Sequence, residues 1–195
     1  MAPQCALIAD IVGSRALSDR PSAQRALEAV LARAAQGLAL LQEPVATIGD
    51  EFQLATRTLA DALVYTARVQ LLVPDGLSLR FGIGEGQILV LDALGADEHG
   101  HYLQDGSAWW LAREAIDSAH AAQDAGLDFV RTRVRLGADA LDGAARRTDD
   151  LRREHEQVAN AMLTFRDQAL QRMRDRPRRL MGRLLMGATQ VEAAA

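Results

Sequence analysis

Two spacings of apolar residues alternate along the chain, one suited to strands and one to helices. Residues 4–12 are apolar apart from Gln4 at the start and Asp10, which predicts a buried central strand. Leu27, Val30, Leu31, Ala34, Leu38 and Leu41 recur at three- and four-residue steps and predict an amphipathic helix over 21–42. Pro21 suits its first turn, Ser18 or Asp19 its cap, and Pro44 its end. Short strands over 45–49 and 51–56 flank Gly49-Asp50, a hairpin dipeptide in which glycine accepts positive φ and aspartate bonds its own turn. Leu59, Leu63, Ala67 and Leu71 mark a second helix over 57–73, closed by Pro74-Asp75-Gly76. Leu77, Leu79, Phe81 and Ile83 alternate with Ser78, Arg80, Gly82 and Gly84, predicting a strand that continues past Gly86 to Leu91. A polar loop over 92–105 leads to a third helix, 107–123, opened by Gly106. Val130, Thr132, Val134 and Leu136 then alternate with Arg131, Arg133 and Arg135, as in an edge strand with charged outer positions. An Arg-rich helix follows over 138–174, with Val158, Met162, Phe165, Ala169 and Met173 as its stripe, then a break at Pro177 and a last helical piece, 178–186.

This order, β-α-β-β-α-β with a further helix and strand, predicts an α+β fold of the ferredoxin-like type. The expected division is a palm domain over 1–137 and an Arg-rich helical extension over 138–195. All 22 basic residues are arginine, which excludes a P-loop lysine and a lysine Schiff base. Residues 1–143 hold 11 Arg against 19 acids, and residues 144–195 hold 11 Arg against 7, so an acidic body carries a basic C-terminal segment. The one cysteine, Cys5, excludes an internal disulfide and any cysteine-based zinc site, and reads as a small buried hydrophobe. No apolar run nears the roughly 18 residues of a membrane span, and the first residues lack a signal-peptide pattern. A cytoplasmic protein without a membrane partner is expected.

Candidate chemistry centres on Asp10 and Asp50. Two carboxylates brought together from separate strands suit Mg²⁺ held against a phosphate, because that ion takes hard oxygen ligands and few carboxylates. The competing reading makes Asp10 a turn cap and leaves Asp50 and Glu51 as hairpin formers. Amides of Val12, Gly13 and Ser14 are candidates to receive a phosphate, with Arg15 or Arg113 offsetting its charge. Gly82, Gly84 and Gly86 fit a bulge or a close ligand approach. Trp109 and Trp110 fit core and dimer contacts rather than base stacking. His99 and His101, beside Asp97 and Glu98, fit an exposed loop or a weak metal site. Six arginines between 172 and 183 fit a solvated helix face or a phosphate-contacting patch.

Asp10-Ile11-Val12-x-Ser14, Gly49-Asp50, Arg80-Phe81-Gly82-Ile83-x-x-Gly86 and Gly106 leading to Ala112-Arg113 follow the order of landmarks in class III nucleotide cyclases. Gly49-Asp50-Glu51-Phe52 is similar to the diguanylate cyclase signature. Asp10-Ile11-Val12-Gly13-Ser14-Arg15 with Arg20, Gly49-Asp50-Glu51-Phe52-Gln53 and Ala112-Arg113-x-Ala115-Ile116 most resemble the SatD family, a bacterial group linked to stress and acid tolerance. These resemblances span roughly residues 4–120. They imply a cyclase-type palm, Asp10 and Asp50 as metal ligands, Arg113 on a triphosphate with Glu51 as a second catalytic candidate, and a homodimer. The chain also departs from the cyclases. The asparagine four residues before the arginine is Trp109, the base-reading lysine falls near Pro44, and the first glycine of the signature is Ile48. At the C-terminal end, Leu184 to Gly187 followed by Thr189-Gln190-x-Glu192-x-Ala194 resembles the opening of a helix-turn-helix, either truncated or fortuitous. The expected function is a Mg²⁺-dependent nucleotide-binding or nucleotide-processing palm without full cyclase activity. The alternatives are a nucleotide-sensing transcriptional regulator whose C-terminal helical part binds DNA, and a purely structural interaction domain.

Overall fold

The computed structural model describes residues 2–17, 19–47, 50–91, 95, 103–137 and 145–194, apart from the side chains of 16 and 145–148. The hairpin tip at Ile48-Gly49, the Ser18 cap and the His99–His101 loop lie outside the described residues. Five strands form one mixed sheet: β1 (Gln4–Ile11), β2 (Leu40–Ala46), β3 (Glu51–Thr56), β4 (Leu79–Gly86) and, after two short strands β5 (Leu89–Val90) and β6 (Gln104–Asp105), β7 (Thr132–Leu136). Their order is β2-β3-β1-β4-β7, antiparallel throughout except for the parallel β4–β7 pair. β5 and β6 pair as a separate ribbon. The chain is thus an α+β protein.

The apolar run at the start becomes the middle strand because both of its faces are covered. Cys5, Leu7, Ala9 and Ile11 enter the main core with Leu27 and Leu31 of α1 (Arg20–Ala35) and Tyr65 and Val69 of α2 (Leu59–Leu72). Ala6 and Ile8 point the other way, toward Ala108, Ala112 and Ile116 of α3 (Ser107–Asp124). Desolvation of Cys5, with Glu85 nearby, pushes its thiol up to about 12, so it behaves as an inert core group.

Several boundaries shift from the sequence expectation. α1 ends at Ala35, because Gly37 adopts φ 74 and turns the chain. Leu38 and Leu41 therefore leave the helix, and Pro44 sits within β2, an edge strand with register shifts on either side of Gln42. Asp19 is the cap of α1, its carboxylate accepting from Ser22 N at 3.0 Å. Pro177 lies in the first turn of α5 (Asp175–Leu185) rather than at a helix end.

Gly82, Gly84 and Gly86 mark neither a bulge nor a ligand approach. A Cβ on Gly82 would stand 2.2 Å from Ala112 O, one on Gly84 2.1 Å from Ala108 O, and one on Gly86 2.6 Å from Ser107 Oγ. The missing side chains let α3 lie directly on β4, with Ala108, Ala112 and Ile116 on the helix side of the contact. β7 is an edge strand, but it is not bare. The long helix α4 (Ala145–Arg172) runs beside it and satisfies its outer backbone groups with side chains. Asp167 Oδ2 accepts from Arg131 N (2.8 Å) and Thr132 N (2.6 Å), Asn160 bonds both N and O of Val134 (2.9 Å each), and Glu156 Oε2 accepts from Leu136 N (2.9 Å).

Arginines also join the helices. Arg68 donates to Ala34 O, Gln36 O and Leu185 O, and Arg178 to Gln70 O, Leu71 O and Val73 O, so each guanidinium caps carbonyls at a helix end. Arg183 bonds Glu192 O and Ala193 O of α6 (Gln190–Ala194). Thr189 and Glu192 form a reciprocal capping box, the physical content of the Thr-Gln-x-Glu pattern. Two members of the 172–183 arginine cluster are thus committed to backbone and turned away from a phosphate-contacting role.

Gly84→Ala tests the sheet–helix contact. Overpacking against helix backbone is expected to cost at least about 1–3 kcal/mol, read as a lowered urea midpoint.

Candidate functional site

Strand register assembles a charged row from three places in the sequence. Asp10 is directly opposite Glu51 on β3 and Arg80 on β4, so all three side chains leave the sheet on the α3 face. Arg80 Nε donates to Asp10 Oδ1 at 3.0 Å, and its Nη2 reaches Oδ2 at 3.4 Å. His120 Nε2 donates to the same Oδ2 at 2.6 Å, and Arg80 Nη1 to Gln123 Oε1 at 2.6 Å. The Arg80 side chain is only 10% exposed and that of Asp10 18%, so each charge depends on the other for its solvation.

Glu51 is held separately. Arg113 grips it in bidentate fashion at 2.7 and 2.9 Å, and Gln53 Nε2 donates at 2.9 Å. Burial raises the Glu51 carboxyl, but the hydrogen bonds and charge of Arg113, with those of Gln53 and Thr47, outweigh it and hold the group below its ordinary value. The same pairing raises the Arg113 guanidinium against its own desolvation. These two catalytic candidates therefore spend their charge on each other.

A cavity of about 450 Å³ opens beside the Asp10 end of the row, lined by Asp10, Ile11, Gly13, Ser14, Arg15, Arg20, Asp50, Arg80 and His120. A neighbouring one of about 290 Å³ shares Ile11, Arg20 and Asp50 with it. Asp10 and Asp50, far apart in sequence, thus face one space, together with Gly13, Ser14 and Arg15. Gly13 adopts φ 68, the turn that swings Ser14–Ala16 away from β1. Val12 stands apart: its amide donates to Ser78 O at 2.9 Å, and it lines a different cavity with Gln70, Ser78 and Arg131. Its N–H is therefore not available to a phosphate.

Among the described residues no group of three or more His, Cys, Asp or Glu is arranged to hold a metal ion. Mg²⁺ needs less from a protein, since it keeps waters and takes phosphate oxygens beside one or two carboxylates. An ionised carboxylate has about four acceptor positions. Asp10 gives three to Arg80 and His120 and retains one, and Asp50 supplies a second carboxylate on the same cavity. The donor set fits such an ion.

His120 and Gln123 carried no signal of their own in the sequence. Their spacing from Arg113 was the available clue, because steps of three and four set Arg113, Ile116, His120 and Gln123 along one side of α3. Of the two readings the sequence leaves for Arg80, a solvated or an ion-paired neighbour, the structure has the second: it is the buried partner of Asp10. Trp109 packs against the smaller core, whereas Trp110 is 64% exposed.

The molecule is thus an α+β protein with an acidic and guanidinium-lined cavity at the end of its middle strand. It belongs to the SatD family, whose pattern matches residues 4–169 and so takes in every strand of the sheet and most of α4. No curated protein and no solved structure matches the chain. No helix among the described residues is long and apolar enough to cross a membrane.

Asp10→Ala strands a buried guanidinium and is expected to cost about 3–5 kcal/mol of stability, measurable by urea titration. For Glu51 the folded pKa is depressed, so its contribution is full above the unfolded value of about 4.3 and is lost as pH falls through the folded one. Glu51→Gln is accordingly expected to lower stability at pH 7 and to flatten its decline below about pH 4.3.

Proposed function

We propose that the cavity beside Asp10 binds a phosphate-bearing small molecule, a nucleotide by preference, with Mg²⁺ shared between Asp10 and Asp50. The observation that carries this reading is that both aspartates line one cavity with Arg15 and Arg20. An anion entering there meets two guanidiniums on the α1 side, while Arg80 is already neutralised by Asp10. When bound, Mg²⁺ would neutralise phosphate oxygens that the two carboxylates alone would repel. Arg15 and Arg20 would hold the remaining phosphate charge by paired N–H donation. His120, fixed through Nε2 by Asp10, orients its ring at the cavity wall.

The arrangement of the first four long strands also supports a ferredoxin-like palm. Their order β2-β3-β1-β4, antiparallel at each step with helices α1 and α2 in the two crossovers, is that of a split βαβ unit. Within that reading the chain retains the metal and phosphate half of a cyclase site. Arg113 is occupied by Glu51, Trp109 replaces the asparagine, and the chain has no lysine to read a base. Binding, rather than cyclisation, is what these residues suit.

Calorimetric titration with ATP, GTP and inorganic phosphate, each with and without Mg²⁺, tests the proposal. Wild-type protein is expected to bind a nucleoside triphosphate in a Mg²⁺-dependent manner. Asp50→Asn should cut the Mg²⁺-dependent part at least tenfold, and Arg15→Ala with Arg20→Ala should weaken binding whether or not Mg²⁺ is present. Absence of any binding by wild type, or an Asp50→Asn protein indistinguishable from it, would remove the reading.

A further inference from the structure

The face of α4 turned away from β7 is the largest structural feature that the cavity does not use. Leu151, Val158, Met162 and Phe165 are 51, 59, 68 and 74% exposed, although each is a large apolar side chain. Their spacing is not scattered. With His155 and Ala169, both exposed, they run at alternating steps of four and three residues, the seam of a two-helix coil. The opposite face of α4 is already occupied: Leu163 and Ala159 pack into the main core, and Arg152, Glu156, Asn160, Thr164 and Asp167 are hydrogen-bonded on the β7 side. A second apolar line, exposed on the face away from the core, marks a contact surface rather than a by-product of composition.

We propose that this face pairs with the same face of a second copy of the chain, the two α4 helices running antiparallel about a two-fold axis level with Asn160. Such pairing sets Val158 against Met162, His155 against Phe165 and Leu151 against Ala169 of the other copy. Charge favours this direction. The stripe ends in Arg172, and near its opposite end Asp150 and Glu154 are exposed on either side of Arg153. Antiparallel helices carry Arg172 to the end that holds Asp150 and Glu154, whereas parallel helices stack Arg172 on Arg172 within the seam. From Leu151 to Arg172 the seam spans about 32 Å of helix, at 1.5 Å per residue. Two helices about 10 Å across bury roughly 350 Å² per copy over that length, below the roughly 800 Å² of a standard interface. A weak, concentration-dependent dimer is therefore expected.

Sedimentation velocity over a hundredfold concentration range, in the micromolar region, tests it on the full chain. Wild type should shift from monomer toward dimer, and Met162→Lys with Phe165→Glu should remain monomeric with an unchanged circular dichroism spectrum. Cysteine substitution then reads the direction, with Cys5 buried and inert as background. Ala161→Cys, next to the axis, should yield a disulfide-linked dimer on mild oxidation, and Phe165→Cys should not. A wild type that stays monomeric throughout, a dimer that survives the double substitution, or efficient linkage through Phe165→Cys but not Ala161→Cys would each overturn the proposal.

Discussion

The close approach of α3 to β4 is the constraint from which the rest of the site follows. A helix can lie this near a strand only where the strand offers no side chains, and Gly82, Gly84 and Gly86 provide that clearance on alternate positions. Their neighbour in the same alternation is Arg80. As the helix descends along the glycines it carries His120 and Gln123 onto the guanidinium and onto Asp10. Without that cover Arg80 and Asp10 would be ordinary surface charges. With it they form a half-dry ion pair at the rim of a cavity, where a carboxylate interacts more strongly with any incoming cation or anion than it would in water.

Much of this was legible in the chain itself. The uninterrupted run from Cys5 to Ala9 reads as a central strand because nothing in it wants water, and it is the middle strand. The alternation at Leu79, Phe81 and Ile83 fixes which residues face the main core, and so also fixes that Arg80 cannot. Pattern alone could not tell whether Gly82 and Gly84 answered to a ligand, a bulge or a helix, since each use needs only the missing Cβ. The end of α1 was misjudged for a related reason. Leu38 and Leu41 continue a helical spacing by chance, while Gly37 ends the helix on backbone grounds that periodicity does not register.

The site shows the same division. Asp10 could be singled out because an acid after five apolar strand residues requires a partner. The identity of that partner depended on strand register and on a helix more than a hundred residues away, neither of which has a local signature. Glu51 and Arg113 illustrate the converse: both were visible as charged residues in suggestive motifs, and the fold brings them together into a mutual clamp. The chain has arginine and no lysine, and the forked donors of arginine are used repeatedly in this way, to close two or three acceptors at once at helix ends and on carboxylates.

The fit of α4 against β7 has one further implication, for how the protein avoids aggregation. An open strand margin invites another chain to add to it, and this sheet has two margins. One is occupied by amide and carboxylate side chains that imitate the missing neighbour, and the other carries a proline and a broken register in β2. Neither margin offers an uninterrupted ladder, so strand-by-strand polymerisation is disfavoured, and the molecule can present apolar groups elsewhere on its surface without risking fibre growth through its sheet.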